Sequence, residues 1–153
     1  MASAAEQPPS QPGPEYLAST RFLDCESEAV RGFADRVIAG ERAPISRAIK
    51  LFYAVRDQWR YDPLSMRLTP DAYITSHVLL QVAATSCIPK AILLAAAARA
   101  VGIPAGMGLA DVVNQLTTPK LRERVGGAPT SCTTATRPSF IPLFVGAGRK
   151  LTM

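Results

Sequence analysis

One stretch of the sequence constrains the fold more than any other: residues 87–100, which read CIPKAILLAAAARA. Lys90 and Arg99 are its only charged residues. Ala and Leu favour a helix, and a helix that is apolar on every side must be buried. The longest apolar run, residues 91–98, is too short to span a bilayer, so we expect no membrane association. The stretch therefore predicts a central, buried helix.

Both ends of this helix carry recognisable signals. Thr85 or Ser86 can cap its start, and Pro89 is tolerated in its first turn. Gly102 suits its end, because glycine readily adopts the conformation that terminates a helix. Cys87 is consequently expected in the first turn of a buried helix.

A first amphipathic helix is predicted upstream, over residues 24–40. Asp24 or Ser27 can cap it, and Gly40 suits its exit. Its apolar side chains share one face: Ala29, Phe33, Val37 and Ile38.

A second amphipathic helix is predicted over residues 43–63. Pro44 sits well in its first turn, and Asp62-Pro63 ends it. We expect its buried face to contain the apolar positions that follow a three-to-four spacing: Ile45, Ile49, Phe52, Val55 and Trp59. Trp59 and Tyr61 are interpreted as packing in the core and at its rim.

Three further elements complete an α+β fold with a helical N-terminal half and one or two strands. Residues 68–81 predict a turn at Thr69-Pro70 followed by a short helix. Residues 103–113 predict a buried strand, and residues 117–125 predict a helix that Thr118 caps.

The composition favours one folded domain behind a disordered leader. Of 153 residues, 48% are hydrophobic and 19% charged, enough for a core. Residues 1–14 are rich in Pro, Gln and Ser, which predicts disorder, and they lack the pattern of a secretory signal. The net charge of +5 is spread among acidic residues, so we expect no nucleic-acid site.

The three cysteines, Cys25, Cys87 and Cys132, show no metal-ligand spacing. We therefore expect neither a metal nor a cofactor. With no secretory signal, reduced thiols in a cytoplasm are the simplest interpretation.

Cys87 allows two interpretations. The N-terminus of a helix stabilises a thiolate and offers N–H groups to an oxyanion, which suits a nucleophile. Free cysteines are also often simply buried. His77, the only histidine, lies beside apolar residues without a partner motif and is interpreted as a packed or surface residue.

The pattern C..KA.LLAA..RA.GIPA, from Cys87 to Ala105, resembles the core signature of the bacterial transglutaminase-like superfamily. The upstream segments YLASTRFLD, AIKLFYAVRD and RYDP and the downstream GLADVVNQLTTPKLRERVG are similar to that family, so the resemblance covers about residues 16–126. It implies a papain-like cysteine-proteinase fold. It also implies that Cys87 is the nucleophile of acyl transfer or amide hydrolysis on a peptide or amide substrate.

The chain departs from the family pattern at several positions. Ser86 stands where the family usually has Gly, Gly106 where it usually has Arg, and Gln115 where His is expected. The family's catalytic His and acid follow on later strands, in segments resembling HGYTELYL and GRWVKATPAFN. Neither segment is found in this sequence.

The tail, residues 127–153, differs from the transglutaminase-like domain predicted over residues 15–126. Back-translating residues 127–136 and reading one base early permits a His-Gly-Tyr segment like that of the family. We interpret the tail as an out-of-frame reading after about Gly126; the alternative is a genuine divergent ending. An out-of-frame tail would lack the sheet that packs against the central helix and leave the apolar faces of residues 87–100 and 103–113 partly exposed.

Two functions remain open. The first is an enzyme of thiol-based acyl transfer or amide hydrolysis, with impaired activity because the catalytic His is missing. The alternative is a non-catalytic module that keeps the fold and binds a protein partner.

Overall fold

The computed structural model describes residues 13–62, 69–81, 84–113, 123, 130–138 and 143–144. The fold is α+β. Its helices and strands follow in the order α1 (Glu28–Ile38), α2 (Pro44–Gln58), β1 (Arg60–Tyr61), α3 (Thr75–Gln81), β2 (Ala84–Thr85), α4 (Cys87–Ala100), β3 (Ala105–Val113), β4 (Thr130–Pro138) and β5 (Leu143–Phe144). Short 3-10 helices lie at Pro14–Tyr16 and Pro70–Tyr73.

Helix α4 is the centre of the fold, as its apolar sequence predicts. Every residue from Pro89 to Ala98 is buried. Helices α1, α2 and α3 pack against α4, and strands β3 and β4 also contact it. The expectation of a partly exposed apolar face is therefore wrong for these residues, because helices and strands together cover them.

Two sheets are present in the described part of the chain. Strands β1 and β2 form a parallel pair, and β3, β4 and β5 form an antiparallel sheet. Strand β3 confirms the strand predicted over residues 103–113. Strand β4 lies in the tail and pairs with the whole length of β3, from Ala105↔Pro138 to Val113↔Thr130. The expectation of one or two strands is too low. The tail adds β4 and β5, and the short strands β1 and β2 form a pair of their own.

Helix α1 confirms the first amphipathic helix. The Ser27 hydroxyl caps it by accepting a hydrogen bond from the Val30 N–H at 3.4 Å. The chain leaves the helix at Ala39 and Gly40, with φ values of 46° and 76°, a conformation that glycine adopts without strain. The buried positions are Val30, Phe33, Ala34 and Ile38, so Ala29 and Val37 lie at the edge of the predicted face.

Helix α2 begins at Pro44 as predicted, but it ends at Gln58 and not at Asp62-Pro63, because Arg60–Tyr61 pair with Ala84–Thr85 as a strand. Its buried face also differs in part from the predicted one. Ile45 and Ile49 are exposed, with 63% and 46% of their surface accessible, and Phe52 is half-buried. The buried positions are Ala48, Leu51 and Val55, of which Val55 was predicted. Both sets satisfy a three-to-four spacing, so periodicity alone cannot choose between them. Packing against α1 and α4 selects the face with Leu51.

The remaining elements are confirmed or lie outside the described residues. The turn and short helix of residues 68–81 appear as the 3-10 helix and α3. The helix predicted over residues 117–125 lies outside, apart from Glu123, and so does almost all of the leader. Within the described ranges, no helix is long and apolar enough to cross a bilayer.

Candidate functional site

Cys87 is the first residue of α4 and is half-buried. Ser86 precedes it as the N-cap in an extended conformation, and the Ser86 carbonyl accepts the N–H of Lys90 at 3.4 Å to close the first turn. The structure therefore places the thiol where the sequence predicts it. The first N–H groups of a helix lack acceptors inside the helix, and its dipole favours negative charge there.

The hydroxyl of Ser86 does not cap the helix. Ser86 is buried, and its Oγ has no hydrogen-bond partner. An N-cap hydroxyl normally accepts from the second or third N–H of the helix. The third residue here is Pro89, which has no N–H, so one of the two usual partners is missing. The sequence Ser-Cys-Ile-Pro indicates this, because its proline stands three residues after the serine.

The β1–β2 pair brings a second side chain to the start of α4. Tyr61 is in register with Thr85, two residues before Cys87. The Asp62 N–H donates to the Thr85 carbonyl at 3.0 Å and extends the pairing. Two segments that are distant in sequence are thereby joined directly in front of the cysteine.

The surroundings of Tyr61, including the cysteine, change the pKa of its phenol. Burial raises the pKa of Tyr61 above its ordinary value, and the charges of Cys87 and Asp62 raise it further. The backbone pairing with Thr85 places Tyr61 on the strand directly in front of the helix that begins with Cys87. Tyr61 remains 38% exposed, which agrees with its predicted place at the rim of the core.

Lys90 lies three residues after Cys87 and is almost completely buried, with 3% of its surface accessible. Its Nζ donates to the carbonyl oxygens of Trp59 at 2.6 Å and Arg56 at 2.9 Å. Burial lowers the pKa of Lys90, and the nearby Asp57 carboxylate opposes that effect. Sequence reasoning missed this role; its signal was a single lysine inside an apolar helix.

Trp59 confirms its predicted place in the core. It is buried, and its ring meets Phe33 edge-on, with centroids 5.4 Å apart and planes at 81°. Such aromatic pairs are favourable beyond the area that they bury. The residue that leads into β1 is thus anchored by its side chain as well as by its carbonyl.

His77 and the other two cysteines have different surroundings. The His77 Nδ1 lies 3.0 Å from the carbonyl oxygen of Asp71, in the 3-10 helix that precedes α3. Cys25 is buried, and its Sγ lies 3.8 Å from the Leu17 carbonyl oxygen. Cys132 stands on β4 opposite Asp111 of β3.

The described residues contain no group of three His, Cys, Asp or Glu side chains that could hold a metal ion. The arrangement combines a thiol at a helix N-terminus, a tyrosine on the strand in front of that helix and a buried ammonium one helical turn further on. These groups suit attack on a carbonyl carbon.

Comparison with known proteins identifies the family of the chain. The profile of the Transglutaminase-like superfamily matches residues 31–134, which include α2, Cys87, β3 and the first part of β4. No curated protein and no solved structure gives a significant match. Because the matched segment covers most of the sequence, the chain belongs to the transglutaminase-like superfamily.

Proposed function

We propose that the protein is a thiol-dependent acyltransferase or amidase with Cys87 as its nucleophile. The observation that carries the proposal is the position of Cys87 as the half-buried first residue of the central helix α4. A helix N-terminus stabilises both a thiolate and a developing oxyanion. In a chain of this family, that position is the one from which attack on a carbonyl is expected.

In the proposed reaction, the sulfur of Cys87 attacks the carbonyl carbon of a peptide or side-chain amide. A C–S bond forms, and N–H groups of the first helical turn stabilise the oxyanion. The C–N bond then breaks, and the amine leaves with a proton. Water or a second amine attacks the resulting thioester and regenerates the thiol. The scheme uses no cofactor.

The proton transfers require a base, and the chain offers His77 as its only imidazole. One nitrogen of that ring lies against the carbonyl oxygen of Asp71. We therefore infer that turnover is impaired. Removing the base from such a unit lowers rates on the order of a thousand-fold or more.

An out-of-frame tail would give this impairment a genetic cause. Reading one base early, the codons of Thr134, Ala135 and Thr136 permit His-Gly-Tyr, so that a histidine would stand at the position of Thr134. Thr134 pairs with Leu109, and β4 packs against α4. This backbone position is compatible with a base near the nucleophile helix. The nucleotide sequence tests the idea: we expect one inserted or deleted base, and a reading frame that cannot yield His-Gly-Tyr contradicts it.

Activity is tested with a glutamine-containing peptide and hydroxylamine, by following the hydroxamate that acyl transfer produces. We expect slow product formation that added imidazole accelerates, since imidazole replaces the missing base. Cys87→Ala should abolish the product, whereas His77→Ala should leave it unchanged. If imidazole yields no Cys87-dependent product, the proposed function is wrong.

A second candidate, the non-catalytic module, is favoured by the outer face of α2. Ile45, Ile49 and Tyr53 are exposed there at four-residue spacing. An exposed apolar stripe of this kind suits a partner helix. Sedimentation over a concentration series tests it: a module that acts through this face should associate, and Ile45→Glu with Ile49→Glu should abolish the association. A protein that stays monomeric at every concentration would contradict self-association through this stripe.

We also propose a reducing compartment, the cytoplasm, for this protein. Cys25 is a free, buried thiol. Free thiols persist where glutathione and thioredoxin keep them reduced. A Cys87 that is found oxidised in protein isolated under thiol-trapping conditions would contradict this location.

A further inference from the structure

We propose that the Tyr61 hydroxyl donates a hydrogen bond to the Cys87 sulfur and stabilises its thiolate, and that Lys90 is the positioning residue that holds Tyr61 there. The inference rests on the proposed role of Cys87 as a nucleophile. It assigns a role in the reaction to Tyr61, which from its packing is only a residue at the rim of the core.

The backbone around Tyr61 is held on both sides. Before it, Trp59 is buried against Phe33 in the core. After it, the Asp62 N–H donates to the Thr85 carbonyl at 3.0 Å. Between these anchors, Tyr61 is in register with Thr85. The phenol therefore leaves a fixed backbone next to the start of α4.

Lys90 connects this anchored segment to the helix that carries the cysteine. Its ammonium donates to the Trp59 and Arg56 carbonyl oxygens at 2.6 and 2.9 Å, where α2 ends. The last carbonyl groups of a helix have no donors within it, so a buried ammonium is a strong partner for them. We call these two hydrogen bonds of the Lys90 ammonium the buried clamp. Because Lys90 and Cys87 lie one turn apart on α4, the buried clamp fixes the start of β1 relative to the sulfur of Cys87.

In the proposed contact, the phenol is the hydrogen-bond donor and the thiolate is the acceptor. Burial and the nearby negative charges raise the pKa of Tyr61, so the phenol keeps its proton at neutral pH. A protonated phenol can donate to a thiolate, and a donor to the charged form favours that form. Tyr61 should therefore increase the thiolate fraction of Cys87 rather than compete with it for a proton.

Other charges near the pair must be separated from this effect. Asp62 follows Tyr61 on the same segment, and its carboxylate disfavours further negative charge. Lys90 on α4 is cationic, with Arg56 and Asp57 of α2 beside it. A change at Lys90 could act through its charge or through the position of Tyr61. Only a double variant distinguishes the two.

The experiment measures the rate at which iodoacetamide alkylates Cys87 as a function of pH, followed at the Cys87 peptide by mass spectrometry. For Tyr61→Phe, we expect the profile to move to higher pH by about one unit. The rate at pH 7 should fall about three-fold, because the lost thiolate is partly offset by a more nucleophilic sulfur. Tyr53→Phe, which alters an exposed phenol on α2, is the matched control and should leave the profile unchanged.

Lys90→Met should move the profile in the same direction, and the double variant with Tyr61→Phe should move it no further than Tyr61→Phe alone. Additive shifts would overturn the positioning role, because they would show that the charge of Lys90 acts directly. An unchanged profile in Tyr61→Phe would overturn the whole inference. If Cys87 of the folded wild type is alkylated no faster than in the urea-unfolded chain, the proposed role of Cys87 as a nucleophile is wrong. This result differs from an unchanged profile in Tyr61→Phe, so the two proposals can fail independently.

Discussion

The ammonium nitrogen of Lys90 lies 2.6 Å from the carbonyl oxygen of Trp59, so a charge carried by α4 closes the end of α2. The same nitrogen also reaches the Arg56 carbonyl oxygen. Lysine is seldom so deeply buried unless it has partners of this kind. This contact joins the helix that carries Cys87 to the segment that carries Tyr61.

Lys90→Met should lower the free energy of unfolding by about 1 to 3 kcal/mol, because it leaves the Trp59 carbonyl unsatisfied in a buried place. Lys50→Met is the matched control. Lys50 donates to the Ile38 carbonyl at the end of α1 at 3.0 Å, but its side chain is 43% exposed, so its loss should cost less than about 1 kcal/mol. Urea denaturation measures both; equal losses would contradict the importance of the buried clamp.

Ser86→Ala should leave stability unchanged or increase it. An N-cap serine normally contributes about 1 kcal/mol, but the buried hydroxyl of Ser86 has no partner, so removing it also removes the cost of burying it. Thr75→Val is the matched control, because the buried Thr75 hydroxyl donates to the Phe22 carbonyl at 2.8 Å. That variant should lose about 1 kcal/mol in thermal or urea unfolding. A clear loss in Ser86→Ala would show that its hydroxyl has a partner after all.

Leu51→Ala should cost about 2 to 5 kcal/mol, since Leu51 is completely buried in the core. Ile49→Ala lies on the same helix but on the exposed face and should cost less than about 1 kcal/mol. Urea denaturation of the two variants tests which face of α2 is buried. The reverse order would restore the face that periodicity predicted.

Glu41 should make stability depend on pH in the acid range. Its Oε1 accepts the backbone N–H groups of Ala43 and Arg42 at 3.1 and 2.9 Å, and these bonds lower the pKa of Glu41 in the folded state. The stabilisation is complete above the ordinary pKa of about 4.3 and is lost as the pH falls through the lowered folded value. Glu41→Gln should flatten the dependence of unfolding free energy on pH below about 4.3. Urea denaturation as a function of pH measures this dependence, and a Glu41→Gln profile that matches the wild type would contradict the prediction.

The central helix was predictable because local chemistry determines it. Its composition requires burial, and the positions of Ser86 and Gly102 mark its ends; Gly102 indeed adopts a φ of 77°. The cap of α1 at Ser27 was predictable for the same reason. Such signals act between residues a few positions apart, so they can be found in the sequence itself.

The buried face of α2 and the surroundings of Cys87 were not predictable in this way. Two apolar stripes of α2 fit a helical period equally well, and only packing against α1 and α4 chooses the one with Leu51. Likewise, the contact between Lys90 and Trp59 and the pairing of Tyr61 with Thr85 join segments that are far apart in sequence. No local rule predicts such contacts, although the lone lysine in an apolar helix indicated that a partner was needed.

The role of β4 is open to a direct test by substitution. Thr134→His places an imidazole at the position that the shifted reading would give to a histidine, on a strand that packs against α4. We expect faster hydroxamate formation than in the wild type, by more than ten-fold, because general-base catalysis contributes about 100-fold or more. Thr133→His, at the neighbouring position of β4, is the matched control and should give no gain, because successive positions of a strand face opposite sides of a sheet. Equal rates in both variants would contradict the assignment.

The most direct measurement of the central claim is the rate of Cys87 acylation by an activated ester, followed by intact mass in the folded protein and in urea. Acylation of a thiol by such an ester does not depend on a histidine base, so the measurement isolates the helix N-terminus. We predict that the folded chain is acylated at Cys87 at least about ten-fold faster than the unfolded chain, and that Cys87→Ala removes the adduct. Equal or slower acylation of the folded chain would contradict the account of Cys87 as a nucleophile.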